Sequence, residues 1–153
     1  RTGDNIRIRV TAARALGSMR IINAVPVFID LLKDEDDQLV AECISALTEI
    51  KDPASTKFLI RLLNHENEKI QVLALKAIAK IEMSSLISIN FKEKYKKITA
   101  FMYLVPIKAK TVRKYSLPIR IAAFAALGKL AFGRGDLAES YKNYKMAADT
   151  APV

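Results

Sequence analysis

The chain has 153 residues, 51% of them hydrophobic and 27% charged, which gives length for a buried core and a composition too apolar for a disordered segment. Five Gly and five Pro are few for a loop-rich β protein, and the single Cys43 excludes an internal disulfide framework or a cysteine-rich zinc site; no apolar run approaches the roughly 20 residues that span a bilayer. The net charge of +9 is local: residues 1–82 set 12 Lys/Arg against 12 Asp/Glu, residues 83–115 hold 8 against Glu93 alone, and residues 116–153 hold 5 against 3.

In chain order, the first predicted element is a helix over Asn5–Met19 (NIRIRVTAARALGSM). Three more stretches align with it without gaps: Asp36–Ile50 (DDQLVAECISALTEI), Asn67–Ile81 (NEKIQVLALKAIAKI) and Ser116–Leu130 (SLPIRIAAFAALGKL). Their starts lie 31, 31 and 49 residues apart. Ile8, Leu39, Ile70 and Ile119 share one column, and Ala12, Cys43, Ala74 and Ala123 the column four residues on. Ala15, Ala46, Ala77 and Ala126 form an all-alanine column, followed by Leu16, Leu47, Ile78 and Leu127, and Met19, Ile50, Ile81 and Leu130 close the set. Offsets of 4, 7, 8 and 11 mark one face of a helix. All four alanines are expected to be buried where two helices approach closely.

A second apolar run follows each of the first two helices: Val27–Leu32 aligns with Phe58–Leu63. Asp52 is placed as an N-cap with Pro53 at the first helical position. The unit is therefore helix A, a short turn and helix B, and such hairpins bury their apolar faces only by stacking. The fold expected is all-α, a right-handed α–α superhelix of about four hairpins: residues 1–82 carry repeats one, two and the first helix of three, and residues 116–153 carry a fourth hairpin. Residues 83–115 break the rhythm. Asn90 and Glu93 read as a capping box, and Phe91, Tyr95, Ile98, Met102 and Val105 form an apolar stripe. Pro106 ends or bends that helix, and Lys108, Lys110, Arg113 and Lys114 fall in an exposed connection.

These residues resemble a known family. The run Ile8-Arg9…Ala12-Ala13-Arg14-Ala15-Leu16-Gly17, returning as Ile119-Arg120…Ala122-Ala123 with Ala126-Leu127-Gly128, is similar to HEAT repeats of the short type named after phycobilisome lyases. Repeats two and three keep the apolar columns but have Val40 and Gln71 in place of the Arg, and lack the Gly. Leu127-Gly128, Gly135-Asp136, Tyr144, Ala147 and Pro152 resemble one tetratricopeptide repeat, with Ala131 and Ser140 departing from its pattern. Both resemblances imply a helical solenoid, and neither implies a particular activity. Because the chain opens at Arg1, it is expected to be a piece of something larger.

No catalytic constellation, cofactor site or small-molecule substrate is expected. His65-Glu66 is a lone pair where HEAT-type iron-dependent hydroxylases use several, and no Trp is present for the cleft of the alkylpurine DNA glycosylases. Cys43 sits in a small-residue column and reads as a packing residue, and its lone thiol fits a reducing compartment such as the cytoplasm. Arg9 and Arg120 are expected to hold backbone or Asp partners between repeats. The leading expectation is a protein-interaction scaffold. Its partner-binding residues are Val27, Asp30 and Lys33, then Phe58, Arg61 and Asn64 on the B helices, with an acidic protein or peptide meeting Lys92, Lys94, Lys96, Lys97, Lys108, Lys110, Arg113 and Lys114. The alternative is nucleic-acid binding through the same basic segment, with Tyr95, Tyr103 and Tyr115 for stacking.

Overall fold

The computed structural model describes residues 2–87, 104 and 106–152. Seven α-helices are assigned bounds: α1 (Thr2–Ser18), α2 (Val25–Leu31), α3 (Asp37–Ile50), α4 (Thr56–Leu59), α5 (Glu68–Ile87), α6 (Leu117–Gly133) and α7 (Leu137–Thr150). Among the described residues there is no strand. The A helices are α1, α3, α5 and α6; α2, α4 and α7 are B helices, and α4 is extended at both ends by 3-10 turns, Pro53–Ser55 and Ile60–Asn64.

Local chemistry sets the helix ends. The Asp36 carboxylate accepts from Leu39 N–H at 2.9 Å and opens α3, whose last turn closes on Lys51 in the left-handed region at φ 61°. Asp52 accepts from Ala54 N–H at 3.0 Å just before Pro53, as its sequence position predicts. Asp136 accepts from Glu139 N–H at 3.0 Å to start α7, after Gly135 turns the chain at φ 80°. Glycine takes that turn without the steric cost a Cβ carries there.

The A helices stack in sequence, α1 on α3, α3 on α5 and α5 on α6. The B helices lean forward, α2 against α3 and α4 with its 3-10 extension against α5. The last hairpin differs, because α7 packs on α6 of its own pair. The Tyr144 ring lies 3.1 Å from where a Cβ on Gly128 would stand, and Ser140 Oγ donates to the Gly128 carbonyl at 3.0 Å.

One apolar core runs through the stack, with Phe28, Leu39, Leu47, Leu63, Ile78 and Leu130 almost wholly buried. The alanine column is buried at Ala46, Ala77 and Ala126. Ala15 is not: it faces solvent, as does Ala12, and Ile8 and Met19 are each 68% exposed and Leu16 37%. The expectation of four buried alanines is corrected at the first. That face of an A helix is covered by the preceding A helix, and the described residues place none before α1. In α1 the buried residues are instead Val10, Ala13 and Gly17, which face α3. A Cβ on Gly17 would stand 2.6 Å from Ala46 Cβ, so the helices meet there at backbone range.

Helical backbone is present at residue 104 and at 106–109. Ile107 is fully buried and joins the core. The Asn90–Glu93 capping box and the rest of the Phe91 stripe lie outside the described residues.

Candidate functional site

Each sequence-predicted contact residue is placed by its helix. On the first B helix and the turn after it, Val27, Asp30 and Lys33 are exposed, Val27 to 56%, on the side away from Phe28 and Leu32. On the second, Arg61 and Asn64 are exposed and Phe58 is half-buried against the core. Arg113 and Lys114 are exposed in the turns before α6, and Lys108, also exposed, lies on the helical segment 106–109 rather than in a connection. Lys92, Lys94, Lys96 and Lys97, with Tyr95 and Tyr103, lie outside the described residues.

Lys110 departs from expectation. It is 5% exposed rather than a free charge on the connection. Its ammonium donates to Asn64 Oδ1 at 3.3 Å and lies 4.3 Å from the Tyr115 ring centroid. Asn64 ends the 3-10 extension of the second B helix, so the cation meets the end of a helix where carbonyls point outward. Lys110 therefore ties the connection to the second B helix.

The same contact brings together groups that sequence spacing left 46 residues apart. Lys57 and Arg61 flank the Phe58 ring at 5.0 and 5.6 Å from its centroid, and Lys110 and Lys114 flank Tyr115 at 4.3 and 5.0 Å. Partial burial pushes the Tyr115 hydroxyl upward, but the charges of Lys110 and Lys114 outweigh it and hold it below the ordinary tyrosine range. The result is two cation–aromatic clusters, at Phe58 and at Tyr115, joined through the Lys110–Asn64 hydrogen bond and together referred to as the ridge. Among the described residues none of Lys57, Arg61, Lys108, Lys110, Arg113 and Lys114 has an acidic partner within ion-pair distance. Val27, Asp30 and Lys33 are not joined to this ridge by any hydrogen bond, ion pair or ring contact.

Three cations of the A helices are paired with acids, whereas Arg7, Lys69, Lys76 and Lys129 have no acidic partner among the described residues. Arg9 donates to Asp34 at 2.8 Å, Arg14 to Glu42 at 2.9 Å, and Lys80 to Glu49 at 3.0 Å, each bond spanning two elements. Arg120 donates to the Thr111 carbonyl at 3.3 Å, and Gln71, in the same column, to the His65 carbonyl at 2.7 Å. Arg9 and Arg120 thus hold inter-repeat turns. The backbone N–H of Asp36 and the Arg9 guanidinium keep the Asp34 carboxyl below its ordinary range, and Lys80 does the same for Glu49.

The remaining candidate groups are occupied structurally. Cys43 is fully buried, and desolvation pushes its thiol up to about 12. His65 accepts Asn67 N–H on Nδ1 at 3.0 Å and places Nε2 3.7 Å from Asp37. Among the described residues no three His, Cys, Asp or Glu side chains group as metal ligands, and no helix is long and apolar enough to cross a membrane. What sequence reasoning missed was Lys57, one residue from the chosen Phe58 and set against its ring, and the pairing of Lys110 with Asn64, for which no local signal exists.

Helical hairpins stacked at a 31-residue period define an α-solenoid repeat protein. A family model for HEAT repeats matches residues 1–79, just over half of the chain, and the chain belongs to that family. No curated protein matches it.

Proposed function

We propose that this module is a protein-interaction scaffold that takes an acidic, partly apolar peptide or protein surface along its B helices and the connection before α6. Protein binding is the common use of HEAT repeats; the acidic partner and the residues that meet it are the finer part of the reading. A single observation carries it: Lys57 and Arg61 lie 5.0 and 5.6 Å from the Phe58 ring centroid and Lys110 and Lys114 4.3 and 5.0 Å from that of Tyr115, and none of the four has a carboxylate partner among the described residues. Unpaired cations beside aromatic faces attract carboxylates while the rings supply apolar area. Arg61 and Lys114 make direct contact, Phe58 and Tyr115 supply the apolar area, and Lys110 positions Tyr115 from beneath. Lys92, Lys94, Lys96 and Lys97 add four positive charges earlier in the same basic segment of the sequence, and Val27, Asp30 and Lys33 form a separate, variable contact. Within the family, the Arg and Ala-Leu-Gly signature supports the short phycobilisome-lyase-like repeat type. The own-pair packing of α7 on α6 supports a tetratricopeptide-like last hairpin.

The test compares two charge-matched triple variants. Lys57→Gln, Arg61→Gln and Lys114→Gln remove ridge cations; Arg7→Gln, Lys69→Gln and Lys142→Gln remove exposed cations elsewhere. Fluorescence anisotropy with a labelled peptide of alternating Glu and Leu is expected to show about a tenfold loss for the first and less than twofold for the second, one decade being about 1.4 kcal/mol. Equal losses would reduce the ridge to general electrostatics. Tight, saturable binding of duplex DNA near physiological salt, with a log–log slope of about −0.9 per phosphate contact, would replace the protein reading with the nucleic-acid one.

A further inference from the structure

The outward stripe of α6 breaks the pattern of the other A helices. At the positions of Pro118, Ala122 and Ala125, α1 has Arg7, Thr11 and Arg14, and α3 has Gln38, Glu42 and Ser45. On those two helices the stripe is polar and carries the Arg14–Glu42 ion pair at 2.9 Å. In α6 it is apolar, and Arg120 and Lys129 are the only charges in the whole 17-residue helix. On one side α6 is packed by α5 and on another by α7, where Tyr144 meets Gly128. At 3.6 residues per turn, Pro118, Ile121, Ala122 and Ala125 look out between those two neighbours. A helix that is apolar on every side is normally covered on every side. Here the uncovered stripe is the floor of a groove.

The groove has a volume of about 550 Å³, within the roughly 300–1,000 Å³ of small-molecule sites. Val72, Lys76 and Ala79 of α5 form one wall, and Tyr144 of α7 stands opposite. Among the described lining residues there is no Asp or Glu, and the charges are those of Lys76 and Lys129. Both lysines are exposed, with no ion-pair or hydrogen-bond partner among the described residues. In the repeat alignment Lys76 stands level with Ala125, one turn before Lys129, whereas Val72 stands level with Ile121, toward Pro118. The groove is therefore cationic at one end and apolar at the other. We infer that it binds an unbranched aliphatic carboxylate, with its head between Lys76 and Lys129 and its chain lying along α6 toward Pro118. Two ammonium groups without protein partners attract the carboxylate, and a floor of alanines accepts a chain without branches or rings. At about 1.5 Å of rise per residue, roughly 16 Å of helix axis separates Lys129 from Pro118, room for a chain of medium length. The site is distinct from the ridge, none of whose residues lines it.

Calorimetric titration of the chain with decanoate tests this. Saturable binding at one site is expected, with 1-decanol about tenfold weaker because it lacks the charge that the lysines meet. Lys76→Gln with Lys129→Gln is expected to weaken decanoate about tenfold and to leave decanol unchanged. Ala125→Leu, which fills the floor and keeps a strong helix former there, is expected to abolish saturable binding of both while helical circular dichroism is retained. The ridge variant Lys57→Gln, Arg61→Gln and Lys114→Gln is expected to bind decanoate within about twofold of the parent, since it removes charge elsewhere. No saturable binding by the parent, equal affinity for decanoate and decanol, or an equal loss in the ridge variant would overturn the inference. So would displacement of decanoate from the ridge variant by the Glu and Leu peptide, since the groove would then belong to a peptide.

Discussion

Gly17, Ala46 and Cys43 show how little space single side chains are given at the A-helix junctions. Ala46→Leu and Gly17→Ala both force material into the closest point between α1 and α3, and each is expected to cost about 1–3 kcal/mol in urea unfolding. Ala15→Leu, in the same alanine column, is expected to change stability by less than about 0.5 kcal/mol, because Ala15 is exposed among the described residues. Equal costs at Ala15 and Ala46 would contradict the placement of α1 at an open end. Cys43 is expected not to react with a disulfide reagent in the native chain at pH 8, and to react at the rate of global opening. Its folded pKa of about 12 lies above the ordinary thiol value. Its contribution to stability is therefore whole below the ordinary thiol value and is lost as pH rises from there toward 12. Cys43→Ala removes that part of the alkaline loss, and the alanines at the equivalent positions 12, 74 and 123 show that the column accepts it. The alanine column was legible from its repetition alone. Its exposure at Ala15 was not, because a column reveals which face seeks a neighbour and not whether a neighbour is there.

The helices themselves were legible because their ends carry chemistry as well as their faces. Asp36 and Asp52 accept the N–H groups expected of caps. Ser116 occupies the N-cap position of α6 yet makes no side-chain cap bond, Pro118 and apolar packing sufficing there. Asp36→Ala is accordingly expected to cost about 0.5–2 kcal/mol and Ser116→Ala clearly less, by the shift of the urea midpoint. The ion pairs between elements give the acid limb. Asp34 is held below its ordinary range by the Asp36 N–H and Arg9, and Glu49 by Lys80. Their stabilising contributions are present above the ordinary carboxylate values and are lost as pH falls through the depressed ones. A chain carrying Asp34→Asn and Glu49→Gln is expected to show a flatter decline of stability below pH 4 than the parent. The basic connection was less legible. Composition showed that Lys110 was charged, but only tertiary packing shows that it is buried against Asn64 and Tyr115.

At the scale of the whole molecule, stability in a stack is a sum of hairpin and neighbour terms, so it falls where a neighbour is lacking. Among the described residues, helices α3 and α5 have an A helix on each side, whereas α1 has one only. Phe28, Leu39, Leu47, Leu63 and Ile78 are almost wholly buried in the middle of the stack. Period and column explain why this architecture could be read from sequence, since both are local in the chain and repeat. The ridge of Phe58, Arg61, Lys114 and Tyr115 could be read only as fragments, since it depends on a connection folding back onto the second B helix. The stacking model makes a graded prediction for native-state hydrogen exchange. Amides of α3 and α5 are expected to exchange only through global unfolding, with a urea dependence equal to that of the equilibrium transition, and those of α1 through smaller local openings. Ile78→Ala, at the centre of α5, is expected to cost about 2–5 kcal/mol and to accelerate exchange throughout the stack. Ile8→Ala is expected to cost a few tenths at most and to leave α3 and α5 unaltered. Uniform protection along all four A helices would show that the α1 end is as well supported as the centre, and that its apolar face is covered.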